Sequence, residues 1–148
     1  MIRQATRYDI PKITEMMREY ALEAPVETFK DPINQNAEYF AQLIYELIAG
    51  KGFVLVDKEL NGMLIAAITP NIWCPKVYEL KELAWWVKPE YRKGTLGGKL
   101  WLEFNKQGEK LLDSGRINIV CSTVMVNSPA LDYEKRGYKK LETTYFKE

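Results

Sequence analysis

Apolar residues recur along this chain at two spacings, near ~3.6 and near ~2 residues, and these divide it into helices and strands. Ile2 to Ala5 reads as a short first strand. Asp9 can cap the helix that follows, Pro11 is tolerated in its first turn, and Ile10, Ile13, Met17 and Tyr20 share one face. Residues 24–36 carry two prolines and read as a loop. A second helix places Phe40, Leu43, Ile44, Leu47 and Ile48 at helical spacing and closes at Gly50. These stripes are core contacts. Phe53 to Val56 and Met63 to Thr69 read as strands joined by a hairpin turn at Asn61-Gly62. Pro70 to Lys76 is a connection that exposes Trp73, and Val77 to Val87 is long enough for a central strand. A glycine turn then opens a third helix that reaches Leu112 and breaks at Asp113-Ser114-Gly115. The β-branched run Ile117 to Val124 predicts a strand buried on both faces. Ser128 to Lys135 predicts a short helix ended by Gly137, and Tyr138 to Phe146 one or two last strands. The order is β-α-α-β-β-β-α-β-α-β(-β), an α/β arrangement. It predicts a single domain over 1–148, with no internal repeat or low-complexity tract.

Composition narrows the chemistry more than the fold. At 148 residues, 47% hydrophobic and 28% charged, the chain is of ordinary globular type. A net charge of +1 gives no global attraction to nucleic acid, so any basic site is local. Without a signal-like start or an apolar run near ~18 residues, a soluble, cytoplasmic protein with no membrane partner is expected. The two cysteines, Cys74 and Cys121, fit no metal spacing and suit a reducing compartment. Histidine is absent, which removes Ser-His-Asp and Cys-His catalysis and most zinc sites. Acid–base work must fall to Tyr, Glu, Asp, Lys or the backbone, and no metal is expected.

The densest chemistry lies in Trp85 to Leu100. An apolar strand ends at Val87, and Pro89 removes a backbone donor and stops the ladder. The basic turn Arg92-Lys93-Gly94-Thr95-Leu96-Gly97-Gly98 follows, and then a helix with Leu96, Leu100, Trp101 and Phe104 on one face. A strand, a glycine turn and a helix start aim several N–H groups at one point, where the helix dipole, Arg92, Lys93 and Lys99 add positive charge. Such a place binds phosphate. The P-loop pattern fails, because three residues rather than four separate Gly94 from Gly98 and Leu100 stands where Ser or Thr is needed. The dinucleotide pattern G-x-G-x-x-G is absent.

The stretch resembles the pyrophosphate loop of the GNAT superfamily of N-acetyltransferases, in which a Val-x-Pro-x-Tyr strand end runs into [Arg or Gln]-x-x-Gly-x-[Gly or Ala]. Val87, Pro89, Tyr91, Arg92 and Gly97 match, whereas Thr95 stands at the first motif glycine. A second stretch, Asn127 to Tyr138, is similar to the C-terminal motif of the family through Asn127, Ala130, Tyr133, Gly137 and Tyr138. The element order also resembles the family, so the likeness spans the chain. It implies a mixed, mostly antiparallel central sheet, splayed at the donor site, with helices on both faces.

The resemblance also implies roles. The backbone of Trp85, Trp86 and Val87 would pair with the pantetheine arm of acetyl-CoA, and the Val87 N–H would face the thioester carbonyl. The segment from Arg92 through Gly98, with Lys99, would hold the diphosphate. Asn127 would bond the pantetheine arm, and Tyr133 would protonate the departing thiolate. Each has a plainer reading: strand aromatics, helix punctuation, a turn-capping Asn and a core Tyr. At Thr95, a positive φ would be costly for a β-branched residue, whereas a helical φ would not; the flanking Gly94 and Gly97 favour the helical one. A carboxylate on the central strand is the natural base, with Glu82 preferred to Glu79 and solvated strand charges the plainer alternative. Trp86, on the opposite face from Trp85, would line the acceptor pocket. Glu23, Glu27, Asp31 and Tyr39 form an acidic, aromatic wall suited to a cationic amine, or simply a solvated loop. The acceptor is then a small-molecule or protein amine, and a homodimer is compatible with the family. Two other readings stay open: a CoA-binding regulatory module without turnover, and a nucleic-acid binder, which the near-neutral charge opposes.

Overall fold

The computed structural model describes residues 1–129 and 131–148, so Ala130, one of the positions behind the second resemblance, lies outside the described residues. Five strands form one sheet in sequence order: β1 (Ile2–Gln4), β2 (Gly52–Asp57), β3 (Gly62–Pro70), β4 (Tyr78–Val87) and β5 (Ile119–Cys121). Neighbours are antiparallel except β4 and β5, which run parallel. Helices α1 (Ile10–Glu23) and α2 (Ala37–Glu46) cover one face, and α3 (Leu96–Asp113) covers the other.

The period of two on β2, β3 and β4 sends alternate side chains to two cores. Val54, Val56, Met63, Ile65 and Trp86 pack against Ile13, Met16, Ile44 and Leu47. Phe53, Leu55, Leu64, Leu80 and Val87 pack against Leu100, Trp101 and Phe104. Because both faces are covered, β2 and β3 are buried almost throughout. A π-type turn over Leu47–Lys51 ends the second helical segment, and Gly50 there has φ 134°, a conformation that favours glycine.

Four expectations need correction. The β2–β3 connection is not a two-residue turn at Asn61-Gly62: Gly62 is already the first residue of β3, paired with Val87 of β4, and Leu60 carries the positive φ of 56°. The Asp57 carboxylate closes that loop by accepting from the N–H groups of Asn61 and Gly62, at 2.7 and 2.9 Å. The run Ile117 to Val124 yields only the three residues of β5, and these are not buried on both faces, for Ile119 is 41% exposed. The physical reason is position: β5 stands at one edge of the sheet, and α3 packs on one face of it. The segment from Ser128 to Lys135 forms, among its described residues, only the start of a single tight turn, Glu134–Arg136, ended by Gly137 at φ 90°. No strand forms among the described residues after Tyr138. That segment is anchored by side chains instead: Tyr138 donates to Asn105 on α3 at 2.7 Å, and Glu148 accepts from Thr28.

Candidate active site

The site begins with a bulge in β4. Ile65 faces Ala84 and Ala66 faces Glu82, which leaves Leu83 as the extra residue. The bulge resets the alternation. Leu80 lies in the α3-side core, and after Leu83 it is Trp85 and Val87 that return to that side, while Ala84 and Trp86 turn towards α1 and α2.

Two residues before the bulge, the sheet parts. β4 and β5 pair over three positions, the last being Lys81 with Cys121. Beyond that pair, among the described residues, β4 continues to Val87 paired with β3 alone. Lys88 donates to the Asn61 carbonyl at 2.8 Å, so Val87 opposite Gly62 occupies a non-hydrogen-bonded position of the ladder. The main-chain groups of Val87, and by the same period those of Trp85, are therefore turned away from β3 into the opening. Those of Trp86 face β3. Arg92 Nε donates to the Val87 carbonyl at 2.7 Å, and the Val87 N–H points into the gap.

At the outer end of the opening lies the turn from Lys88 to Thr95. The N–H groups of Tyr91, Arg92 and Gly94 close local turns, the last two through long bonds of 3.3 and 3.4 Å. Among the described residues, no protein group accepts from the N–H groups of Lys93, Thr95, Leu96, Gly97 or Gly98. Three of these open the first turn of α3. Thr95 has φ −99° and ψ 0°, so a β-branched residue is accommodated there without left-handed strain. Lys93 and Lys99 are exposed beside the turn.

The inner end of the opening is polar, with Glu82 buried and Ser122 half-buried. Glu82 and Ser122 are the first residues past the last β4–β5 pair. The Glu82 carboxylate is 7% exposed and accepts from Ser122 Oγ at 3.2 Å and from the Thr123 N–H at 3.3 Å. Burial pushes this carboxyl up to about 7, against the lowering effect of the Thr123 and Ser122 bonds. Glu82 is thus no solvated strand charge. Trp101 Nε1 of α3 donates to Ser122 Oγ at 3.0 Å. Tyr133 packs edge-on against Trp101 and Tyr138, at ring separations of 5.9 and 6.0 Å. Its hydroxyl is buried and has no hydrogen-bond partner among the described residues. Burial raises the Tyr133 phenol; Ser122 draws it down and the Glu82 charge adds to the rise.

The acceptor side differs from the acidic wall read from the sequence. Glu23, at the end of α1, accepts from Arg92 Nη2 at 2.7 and 2.8 Å and from Trp86 Nε1 at 3.1 Å, and its main-chain carbonyl accepts from Asn127 Nδ2 at 3.0 Å. Against the cost of burial, the Arg92 and Trp86 bonds hold the Glu23 carboxyl below its ordinary range. Trp86 is 5% exposed beneath the Arg92 guanidinium, so it is a buried wall rather than an open pocket lining. Glu27 pairs with Lys30, and Asp31 accepts from the Ile33 N–H. Tyr39 remains exposed. Glu79, the alternative base, stands beside Lys81 and Asn71, with no bond to Ser122, Tyr133 or Trp101 among the described residues.

The structure therefore brings Glu82, Val87 and Tyr133 to one opening, with the loop from Lys93 to Gly98 at its far end. It assigns the guanidinium of Arg92 and the amide of Asn127 to Glu23. Sequence reasoning missed Ser122, Trp101 Nε1 and the linking role of Glu23. One signal was present: Leu80 and Glu82 are alternate residues of a strand, which places a carboxylate at an inward-facing position. Among the described residues, no group of three or more His, Cys, Asp or Glu is placed to hold a metal, and no helix is long and apolar enough to cross a membrane.

No family model matches this sequence, and no curated protein does. Solved structures match it over nearly the full length of both chains. An acetyltransferase from Trypanosoma brucei is 16% identical, with a TM-score of 0.66 over 100% of this chain and 98% of that one. An aminoglycoside acetyltransferase from an uncultured soil metagenomic sample is 16% identical, with a TM-score of 0.66 over 99% of this chain and 95% of that one. A transcriptional regulator from Bacillus halodurans C-125 is 17% identical, with a TM-score of 0.64 over 99% of each chain. At these identities the likeness is one of fold. The parted mixed sheet, flanked by helices on both faces and running into a glycine turn and α3, is the fold these acetyltransferase structures share and the one that the resemblance to the GNAT superfamily implied.

Proposed function

We propose that the protein is an acyl-CoA-dependent N-acyltransferase that moves an acetyl group from acetyl-CoA to a primary amine. The observation that carries this reading is the opening between β4 and β5, with main-chain donors turned into it, a buried carboxylate at its apex and a buried phenol that has no partner among the described residues. When bound, acetyl-CoA supplies the thioester carbonyl and the leaving sulfur. The chain supplies the rest.

The unbonded N–H groups of Lys93 and Thr95 to Gly98 fit a diphosphate, and the main chain of Trp85 and Val87 fits an extended amide-bearing arm. The Val87 N–H stabilises the oxygen that gains negative charge as the amine attacks. A fixed donor of this kind is worth on the order of 3 kcal/mol. Glu82, with its carboxyl near about 7, is partly ionised at neutral pH and takes the amine proton, directly or through one water. Tyr133 keeps its proton at neutral pH and delivers it to the departing sulfur.

The test is release of free CoA thiol across a panel of polyamines, aminoglycosides, amino acids and lysine peptides. Tyr133→Phe is expected to lower kcat about 100-fold while changing acetyl-CoA affinity little. Stability should change by no more than about 1 kcal/mol, because no bond to the deleted hydroxyl is complete among the described residues. Full turnover by this variant removes Tyr133 from the reaction. The second reading is a CoA-binding regulatory module on the same fold. It draws on the ties of Arg92 and Asn127 to Glu23 and on the likeness to a transcriptional regulator. Binding of acetyl-CoA without thiol release by any panel amine would favour it.

A further inference from the structure

Ser122 has no part in the reaction as set out above, yet the polar groups of the apex meet on its hydroxyl. Trp101 Nε1 donates to Oγ at 3.0 Å and so fills one lone pair. Oγ lies 3.2 Å from Glu82 Oε1, and a carboxylate only accepts, so the serine hydrogen is directed at Glu82. The second lone pair of Oγ is left. Tyr133 brings a buried hydroxyl with no partner among the described residues, and its ring packs edge-on, at 5.9 Å, against the same Trp101 whose Nε1 holds Ser122. An orphaned buried hydroxyl is costly, typically about 1–3 kcal/mol, so a partner at the apex would stabilise it. The indole fixes the serine rotamer from α3, and the Thr123 N–H fixes the carboxylate from the other side.

We infer that Ser122 is a positioning residue that joins the base Glu82 to the acid Tyr133 in one hydrogen-bonded line, through which the proton taken from the amine returns to the phenol. The inference rests on the transferase reading. The protons balance. Glu82 gains one from the amine nitrogen, and Tyr133 loses one to the leaving sulfur. Ser122 passes its hydrogen to the tyrosinate and takes the Glu82 proton in its place. Each cycle leaves all three groups as they began, without exchange with bulk water. The titratable groups facing Glu82 are Tyr20 from α1 and Tyr133 from the C-terminal segment, with Ser122 and Thr123 as its hydrogen-bonding neighbours.

The test compares Ser122→Ala, Ser122→Cys and Ser122→Thr in the full chain. With acetyl-CoA and the best amine of the panel, Ala and Cys are expected to lose at least ~10-fold in kcat with KM for acetyl-CoA within about twofold, and Thr to restore it. A second readout needs no turnover: carboxyl carbon NMR titration of Glu82 in protein labelled at glutamate. Loss of the serine donor should move that titration above its position in the wild type, and Thr should return it. Wild-type kcat in Ser122→Ala, equal losses in Ala and Thr, or an unmoved Glu82 titration would each overturn the inference. A wild-type protein that releases no thiol with any amine defeats the transferase reading instead, and the titration still decides the Ser122–Glu82 link.

Discussion

Glu82 shows how much one buried carboxylate sets. Its carboxyl is raised from 4.5 to about 7, so in the folded protein its charged form is the disfavoured one. The stability this group contributes is full below about 4.5 and is lost as pH rises through about 7. Glu82→Gln removes that loss. It should stabilise the protein at pH 8 by up to about 3 kcal/mol relative to wild type and give no advantage near pH 4.5, as read by urea unfolding at both values. The same variant should lose the acid limb of the activity profile. Equal unfolding midpoints of the two proteins at pH 8 would mean that the carboxylate is solvated. The neighbourhood of Glu82 was partly legible beforehand. A carboxylate in alternation with Leu80 signalled an inward position, but nothing in the residue order said that Ser122 would face it. That contact depends on where β5 stops pairing, which is a property of two strands at once.

At the level of elements, the helices and β2 to β4 follow from periodicity because long, strongly patterned segments bury a continuous face. The C-terminal third does not, because short aromatic-rich segments pack equally well as strands or as side-chain anchors. Tyr133, Tyr138 and Arg136 cluster on Trp101, and that packing replaces a ladder. The start of α3 carries its own test. A Cβ on Gly98 would meet nothing within 4 Å, and its φ is not positive, so the fold does not require glycine there. Gly98→Ala should therefore raise the thermal midpoint, by up to about 1 kcal/mol of stability, through helix propensity. A methyl group facing the diphosphate should at the same time weaken acetyl-CoA at least ~10-fold in calorimetry. A gain in stability with unchanged affinity would place the ligand elsewhere.

Across the whole molecule, Glu23 joins parts that the sequence keeps far apart. It links the end of α1 to Arg92 beyond β4 and to Asn127 beyond β5, and so spans the outer mouth of the opening. The Glu23–Arg92 pair is about two-fifths exposed on each side, so it is worth under about 1 kcal/mol. Glu23→Gln should cost little stability and free the guanidinium towards an anion, and the acetyl-CoA dissociation constant should fall severalfold. A rise would mean that the clasp shapes the site rather than closing it. The fold, its parted sheet and the glycine turn were legible from the order of elements and two motifs, whereas this clasp, built from residues up to 104 positions apart, was not.

The proposed chemistry depends on a diphosphate held by the main-chain donors at the start of α3. Calorimetry of acetyl-CoA against S-acetylpantetheine, which keeps the thioester and lacks the diphosphate, isolates that contact. Saturable binding of acetyl-CoA, at least ~100-fold tighter than the truncated thioester, is the predicted result. Equal affinity for the two, or no heat with acetyl-CoA, would contradict it.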